Sequence, residues 1–194
     1  MNFYKKIKNL GRPYIIAEIG ANHNGSILLA KKLILKAKKA GADCVKFQSW
    51  TKESIFSKKN YQEDSSLAPT VVKYSLSENS LLNIKQFCDK NKIDFTSTPF
   101  SKKEANFLVD KLHAPFIKIA SMDLNNYPFL KFIAKKNKTI VISTGLSNLN
   151  EIKKAIKTIE SQNNFKIIIL HCVSIYPTPD NLSNINNIDS LKKI

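Results

Sequence analysis

At 194 residues and 43% hydrophobic content, the chain is long enough to bury one substantial core but short of the roughly 250 residues of a complete eight-fold α/β barrel. Its net charge of +16 invites a nucleic-acid reading, yet Arg12 is the single arginine among 31 basic residues, and bidentate contacts to phosphates and bases draw on arginine; lysines spread over many helix faces describe a solvated surface, so no nucleic-acid partner is expected. The opening Met1-Asn-Phe-Tyr-Lys-Lys6 lacks the apolar core of a signal peptide, and no apolar run approaches the ~18 residues of a membrane span, so a soluble, cytoplasmic protein without a membrane partner is expected.

Short β-branched runs alternate with longer segments of helical period, the pattern of parallel βαβ units. A first strand is predicted from Tyr14 to Ile19, followed by a helix from Ser26 to Ala40 with Ser26 as its N-cap and Gly41 as its stop. That helix carries the apolar stripe Ala30, Leu33, Ile34 and Ala37 opposite Lys31, Lys32, Lys38 and Lys39, as a barrel helix with one wet face would; a membrane-surface helix would show the same pattern. A strand from Asp43 to Gln48 comes next. Trp50 to Ser77 reads as a long irregular loop within one domain.

The alternation resumes with a helix from Ser80 to Asn91, a strand from Ile93 to Thr98, and a helix from Lys102 to Leu112 behind Ser101 as N-cap. Strands then fit Phe116 to Ala120, Thr139 to Ser143 and Lys166 to Cys172, with helices from Tyr127 to Lys136 and Leu149 to Glu160 between them. Six such units could form an open doubly wound sheet or part of a TIM-type (β/α)8 barrel. Polar residues at the C-terminal end of every strand, rather than at one switch point, favour the barrel. Cys44, Cys88 and Cys172 are odd in number, far apart and set in apolar segments, which fits buried reduced thiols better than disulfides or a zinc cluster.

In a parallel barrel the strand ends would converge on one mouth. Lys46 alternates with Val45 and Phe47, and Lys118 with Ile117 and Ile119, so each ammonium is expected to project inward. A lysine placed there needs an anion to offset its desolvation. With the hydroxyls of Thr98, Ser121 and Ser143 nearby, a phosphate or carboxylate is the expected guest; a structural ion pair with Glu18 or Asp123, or a Schiff-base lysine, would also account for these positions. Glu18, ending a strand before the turn Gly20-Ala-Asn-His-Asn-Gly25, could serve as an acid/base or hold a substrate hydroxyl, or simply belong to a capped turn.

Taken together, Glu18-Ile-Gly-Ala-Asn-His-Asn-Gly25, Val45-Lys-Phe-Gln48, Ser97-Thr-Pro-Phe100, Ile117-Lys-Ile-Ala-Ser121 with Asn125-Asn126, Ile142-Ser-Thr-Gly145 and Leu170-His-Cys-Val-Ser-Ile-Tyr-Pro-Thr-Pro179 resemble, in order, the N-acetylneuraminate synthase family, which includes legionaminic and pseudaminic acid synthases. The resemblance implies that residues 1–194 are the N-terminal part of a (β/α)8 barrel, about six strand–helix units, without the family's antifreeze-like C-terminal domain. It implies condensation of phosphoenolpyruvate with an N-acetylmannosamine-type sugar to give a nonulosonic acid and phosphate. Lys46, Thr98, Lys118, Ser121, Ser143 and Ser174 match phosphoenolpyruvate-binding positions, and Glu18 and Lys118 catalytic ones. Gln48, Asp123 and Tyr176 match the sugar side. Asp123 stands where the family often has glutamate, and Ser174 where it often has asparagine.

By the same resemblance a divalent metal, Mn or Mg, polarises the sugar aldehyde, held by histidines of the seventh and eighth strands; none of His23, His113 and His171 has that context, so no metal ligand is assigned within this sequence. A homodimer, or a complementing C-terminal fragment, is implied as partner. A non-catalytic barrel fragment and the N-terminal piece of a split synthase, inactive alone, are the alternatives.

Overall fold

The computed structural model describes residues 3–194; Met1 and Asn2, which begin the segment read above as no signal peptide, lie outside them. Contacts divide the chain into two compact units, Met1–Pro115 and Phe116–Ile194, each with its own three-stranded sheet.

In the first unit, helix α1 (Phe3–Lys8) precedes strand β1 (Ile16–Gly20), helix α2 (Ile27–Lys39) and strand β2 (Cys44–Ser49). Ser26 caps α2 by accepting from the Leu29 N–H at 3.2 Å, and Gly41 follows its last turn at φ +90, where a side chain would be strained. Residues 50–77, expected to be a loop, instead fold into three short helices: α3 (Lys52–Ile55), α4 (Lys58–Glu63) and α5 (Leu67–Tyr74). Each spans eight residues or fewer, too short for an apolar stripe to repeat, which is why periodicity did not announce them. Helix α6 (Glu78–Lys90), strand β3 (Asp94–Pro99) and helix α7 (Lys102–Asp110) complete the unit. Helix α6 starts two residues before the predicted Ser80, because Ser77 caps it: the Ser77 hydroxyl accepts from the Ser80 N–H at 3.1 Å.

The sheet order is β1-β2-β3, all parallel, with Glu18 opposite Lys46 and Gln48 opposite Thr98. Ile34 of α2, Ile84 of α6 and Leu108 of α7 are buried with Phe47 and Phe95, whose rings stack at 5.6 Å. Buried on both faces, β2 shows no alternation of burial, as parallel strands between layers do not.

The second unit comprises strand β4 (Phe116–Ile119), a 3-10 turn at Ser121–Asp123, helix α8 (Tyr127–Ala134), strand β5 (Thr139–Ser143), helix α9 (Leu149–Glu160), strand β6 (Ile167–Leu170), a 3-10 turn at Asp180–Leu182 and helix α10 (Asn187–Leu191). The order is β4-β5-β6, again parallel. Helices α8 and α9 pack together, burying Leu130, Ile133, Ala155 and Ile159. Among the described residues no helix is long and apolar enough to cross a membrane. Cys44 and Cys88 are buried free thiols as expected, the burial pushing Cys88 up to about 12, while Cys172 is only half-buried.

Candidate active site

The first unit gathers Glu18, Lys46 and Thr98 at its strand ends. Lys46 is 7% exposed, and its Nζ lies 2.5 Å from Glu18 Oε2 and donates to Thr98 Oγ1 at 3.0 Å. The alternation read from Val45-Lys46-Phe47 therefore does bury the lysine, and the ion pair with Glu18 is one of the two pairings foreseen. Glu18 is itself half exposed, so the pair is desolvated on the lysine side and open on the carboxylate side. Beside it, Gly20 adopts φ +52, and a Cβ there would stand 3.1 Å from Glu18 Oε1 and 3.9 Å from Gln48 Oε1. Glycine thus supplies both the backbone conformation and the room for the Glu18 and Gln48 side chains.

His23 is 1% exposed. Its Nδ1 accepts from the Gly25 N–H at 3.0 Å and its ring lies 5.9 Å from that of Phe47. Burial lowers its pKa, against a smaller upward effect from a hydrogen bond to the Gly20 backbone. The histidine is a clamp on the turn that follows the Glu18 strand, not an exposed acid or base.

The second unit assembles Lys118, Ser121, Ser143, Cys172 and Ser174. Lys118, 7% exposed, donates to Ser143 Oγ at 2.5 Å and to the Ile119 carbonyl at 2.8 Å. Ser143 Oγ also receives the Cys172 thiol at 3.2 Å. Ser121 Oγ accepts from the Gly145 N–H at 3.1 Å, and Thr144 Oγ1 donates to the Leu170 carbonyl at 2.9 Å, tying the end of β5 to β6. Asp123 accepts from Asn126 Nδ2 at 3.3 Å, and burial raises its pKa, the Asn126 contact opposing. Tyr176, preceding a cis peptide bond to Pro177, is 93% exposed. A groove of about 530 Å3 opens beside Gly145, Cys172 and the start of α9.

Two participants escaped sequence reading. Cys172 was read as a buried thiol within a strand-end motif, and Gly145 only as part of a motif; a glycine directly after a strand-end hydroxyl is the signal that could have marked it. Among the described residues no group of three or more His, Cys, Asp or Glu side chains is placed to hold a metal, and His171 Nε2 is engaged with the Ser183 carbonyl at 2.7 Å.

A match to the NeuB family covers residues 33–194. The chain belongs to the NeuB family. It is 44% identical over 187 residues to an uncharacterized protein of Methanocaldococcus jannaschii, covering 95% of this chain and 53% of that one. It is 40% identical over 190 residues to the N,N'-diacetyllegionaminic acid synthase of Campylobacter jejuni, covering 92% of this chain and 56% of that one. The N-acetylneuraminic acid synthetase of Leptospira borgpetersenii, solved with citrate, superposes with a TM-score of 0.84 at 30% identity, covering 93% of this chain and 61% of that chain. This NeuB family member spans about half the length of the curated relatives it matches.

Proposed function

We propose that this NeuB family chain contributes the phosphoenolpyruvate-binding part of a cytoplasmic nonulosonic acid synthase, built on a (β/α)8 barrel of which it supplies about six strand–helix units. The reaction joins phosphoenolpyruvate to an N-acetylmannosamine-type sugar and releases phosphate. The observation that carries the reading is the buried Lys118, whose Nζ donates to the strand-end hydroxyl of Ser143 and to the Ile119 carbonyl; Lys46, buried beside Thr98, already pairs with the half-exposed carboxylate of Glu18. A cation withdrawn from water beside hydroxyl donors is suited to receive an anion.

In this reading Lys46, Thr98, Lys118, Ser121, Ser143 and Ser174 hold the phosphate and carboxylate. Lys118 stabilises charge developing on phosphoenolpyruvate as its methylene carbon attacks the sugar aldehyde. Glu18, half exposed while anchored by Lys46, is the carboxylate available to the sugar or to the water that adds before phosphate departs. Gln48, Asp123 and Tyr176 face the sugar. A divalent metal, Mn or Mg, is required by the complete enzyme, with ligands outside this chain, and no step here is assigned to it.

The chain's coverage of about half of its relatives favours a second reading alongside: the fragment is inactive alone and works with the remaining half of the fold, whether in a homodimer of complete chains or with a complementing piece. The test is a 2-keto-acid and phosphate-release assay with phosphoenolpyruvate, manganese and a panel of N-acetylmannosamine-type sugars, run with and without a polypeptide carrying the remaining half. Product only on complementation supports both statements; product from the chain alone overturns the second; no product and no phosphoenolpyruvate binding overturns the first. Borohydride trapping of a substrate on Lys46 or Lys118 would replace it with Schiff-base chemistry.

A further inference from the structure

Two hydroxyls and a main-chain carbonyl of the second unit meet at one glycine. The Gly145 N–H donates to Ser121 Oγ at 3.1 Å. A Cβ built on Gly145 would lie 2.5 Å from Ser174 Oγ and 3.2 Å from both Ser121 Oγ and the Cys172 carbonyl oxygen. Its chain neighbour on the other side of Thr144 is Ser143, whose Oγ accepts from Lys118 and from the Cys172 thiol. Gly145 is not among the glycines with positive φ, so the position demands the absence of a side chain rather than an unusual backbone. The clash an alanine would bring has two parts. Ser174 Oγ can rotate away, but only by leaving its present orientation; the Cys172 carbonyl is main chain and cannot.

The direction of the hydrogen bonds gives this packing a chemical consequence. A serine oxygen that accepts from a fixed donor must point its own proton elsewhere. Ser121 accepts from Gly145, and Ser143 accepts from Lys118 and Cys172, so the proton of each hydroxyl is left to donate to another acceptor. A cluster of such donors beside a buried ammonium is matched to an anion.

We propose that Gly145 is a positioning residue of the anion site: its N–H orients the Ser121 hydroxyl and its missing side chain leaves Ser174 Oγ in place, so that Ser121 and Ser174 present donors to the carboxylate or phosphate of phosphoenolpyruvate. This rests on the function proposed above. The glycine touches no substrate atom and acts through the two serines.

The experiment is phosphoenolpyruvate binding by isothermal titration calorimetry on the full chain, comparing wild type with Gly145→Ala, Ser174→Ala and the double variant, with thermal melting of each. Gly145→Ala is expected to weaken binding about tenfold, the scale of one lost hydrogen bond to a charged group. Alanine keeps the N–H that orients Ser121 and acts by displacing Ser174 Oγ, so the double variant should bind little worse than the weaker single variant, a non-additivity that general destabilisation would not produce. Wild-type affinity in Gly145→Ala, or losses that multiply in the double variant, overturns the proposal. Should Gly145→Ala fail to fold, the double variant, in which the 2.5 Å contact is removed, is compared with Ser174→Ala, and a further tenfold loss there counts against it. Wild type that binds no phosphoenolpyruvate defeats the proposed function first and this inference with it.

Discussion

Single side chains carry the argument for an anion site, and each makes its own prediction. Lys118→Met removes the ammonium while keeping an unbranched side chain of similar length. Phosphoenolpyruvate binding should fall about tenfold or more, since hydrogen bonds to charged groups are worth roughly 1.5–3 kcal/mol, while the melting temperature stays close to that of wild type. Calorimetric titration and thermal melting check the two halves of that statement. His23 predicts a pH dependence. Its pKa is lowered in the folded chain by burial, so between an unfolded value of about 6.5 and the lower folded value the unfolded state binds more protons. Stability is therefore present above about pH 6.5 and lost as pH falls through that window. Melts at stepped pH values should show this slope, and His23→Gln should flatten it. Lys46, Thr98 and Lys118 were legible as strand-end residues because alternation along a strand sets which side a residue takes. That Lys46 pairs with Glu18, and that Ser143 receives both Lys118 and Cys172, are matters of side-chain reach that one-dimensional spacing leaves undecided.

The regular elements followed from local chemistry wherever that chemistry was repeated. The strand from Thr139 to Ser143 and the helix from Leu149 to Glu160 have the bounds expected of them, because a β-branched run and a full apolar stripe leave little freedom. Helix α9 opens with a reciprocal cap: Asn148 Oδ1 accepts from the Glu151 N–H at 3.1 Å, and Glu151 Oε2 accepts from the Asn148 N–H at 2.8 Å. Asn148→Ala should cost about 1 kcal/mol, lowering the melting temperature by a few degrees in differential scanning calorimetry; Asn148→Asp should retain most of it. The segment of residues 50–77 was misread because its order comes from caps and a few anchors. Ser57 accepts from the Asn60 N–H, Ser54 donates to Glu104 Oε1 at 2.5 Å, and Trp50 Nε1 donates to the Val71 carbonyl at 3.2 Å. Contacts such as these between distant residues leave no periodic trace.

For the whole molecule the dominant number is the net charge of +16. Self-repulsion of that size opposes the compact state and is screened within about 10 Å at 0.1 M salt, so raising sodium chloride from 20 to about 200 mM should raise the melting temperature; a fall on adding salt would mean that specific ion pairs outweigh the repulsion. By itself the sequence determined the alternating α/β character, the parallel strands, the family and the list of strand-end polar residues, since these depend on periodicity and on short motifs in order. Only the tertiary structure decided which of those residues meet: Glu18 with Lys46 and Thr98 in one sheet, and in the other Ser121, Ser174 and the Cys172 carbonyl around Gly145, with Lys118 and the Cys172 thiol on Ser143. The physical reason is that strand order, register and the short contacts across them bring together residues remote in sequence, and a hydrogen bond is decided by tenths of an ångström that no spacing along the chain encodes.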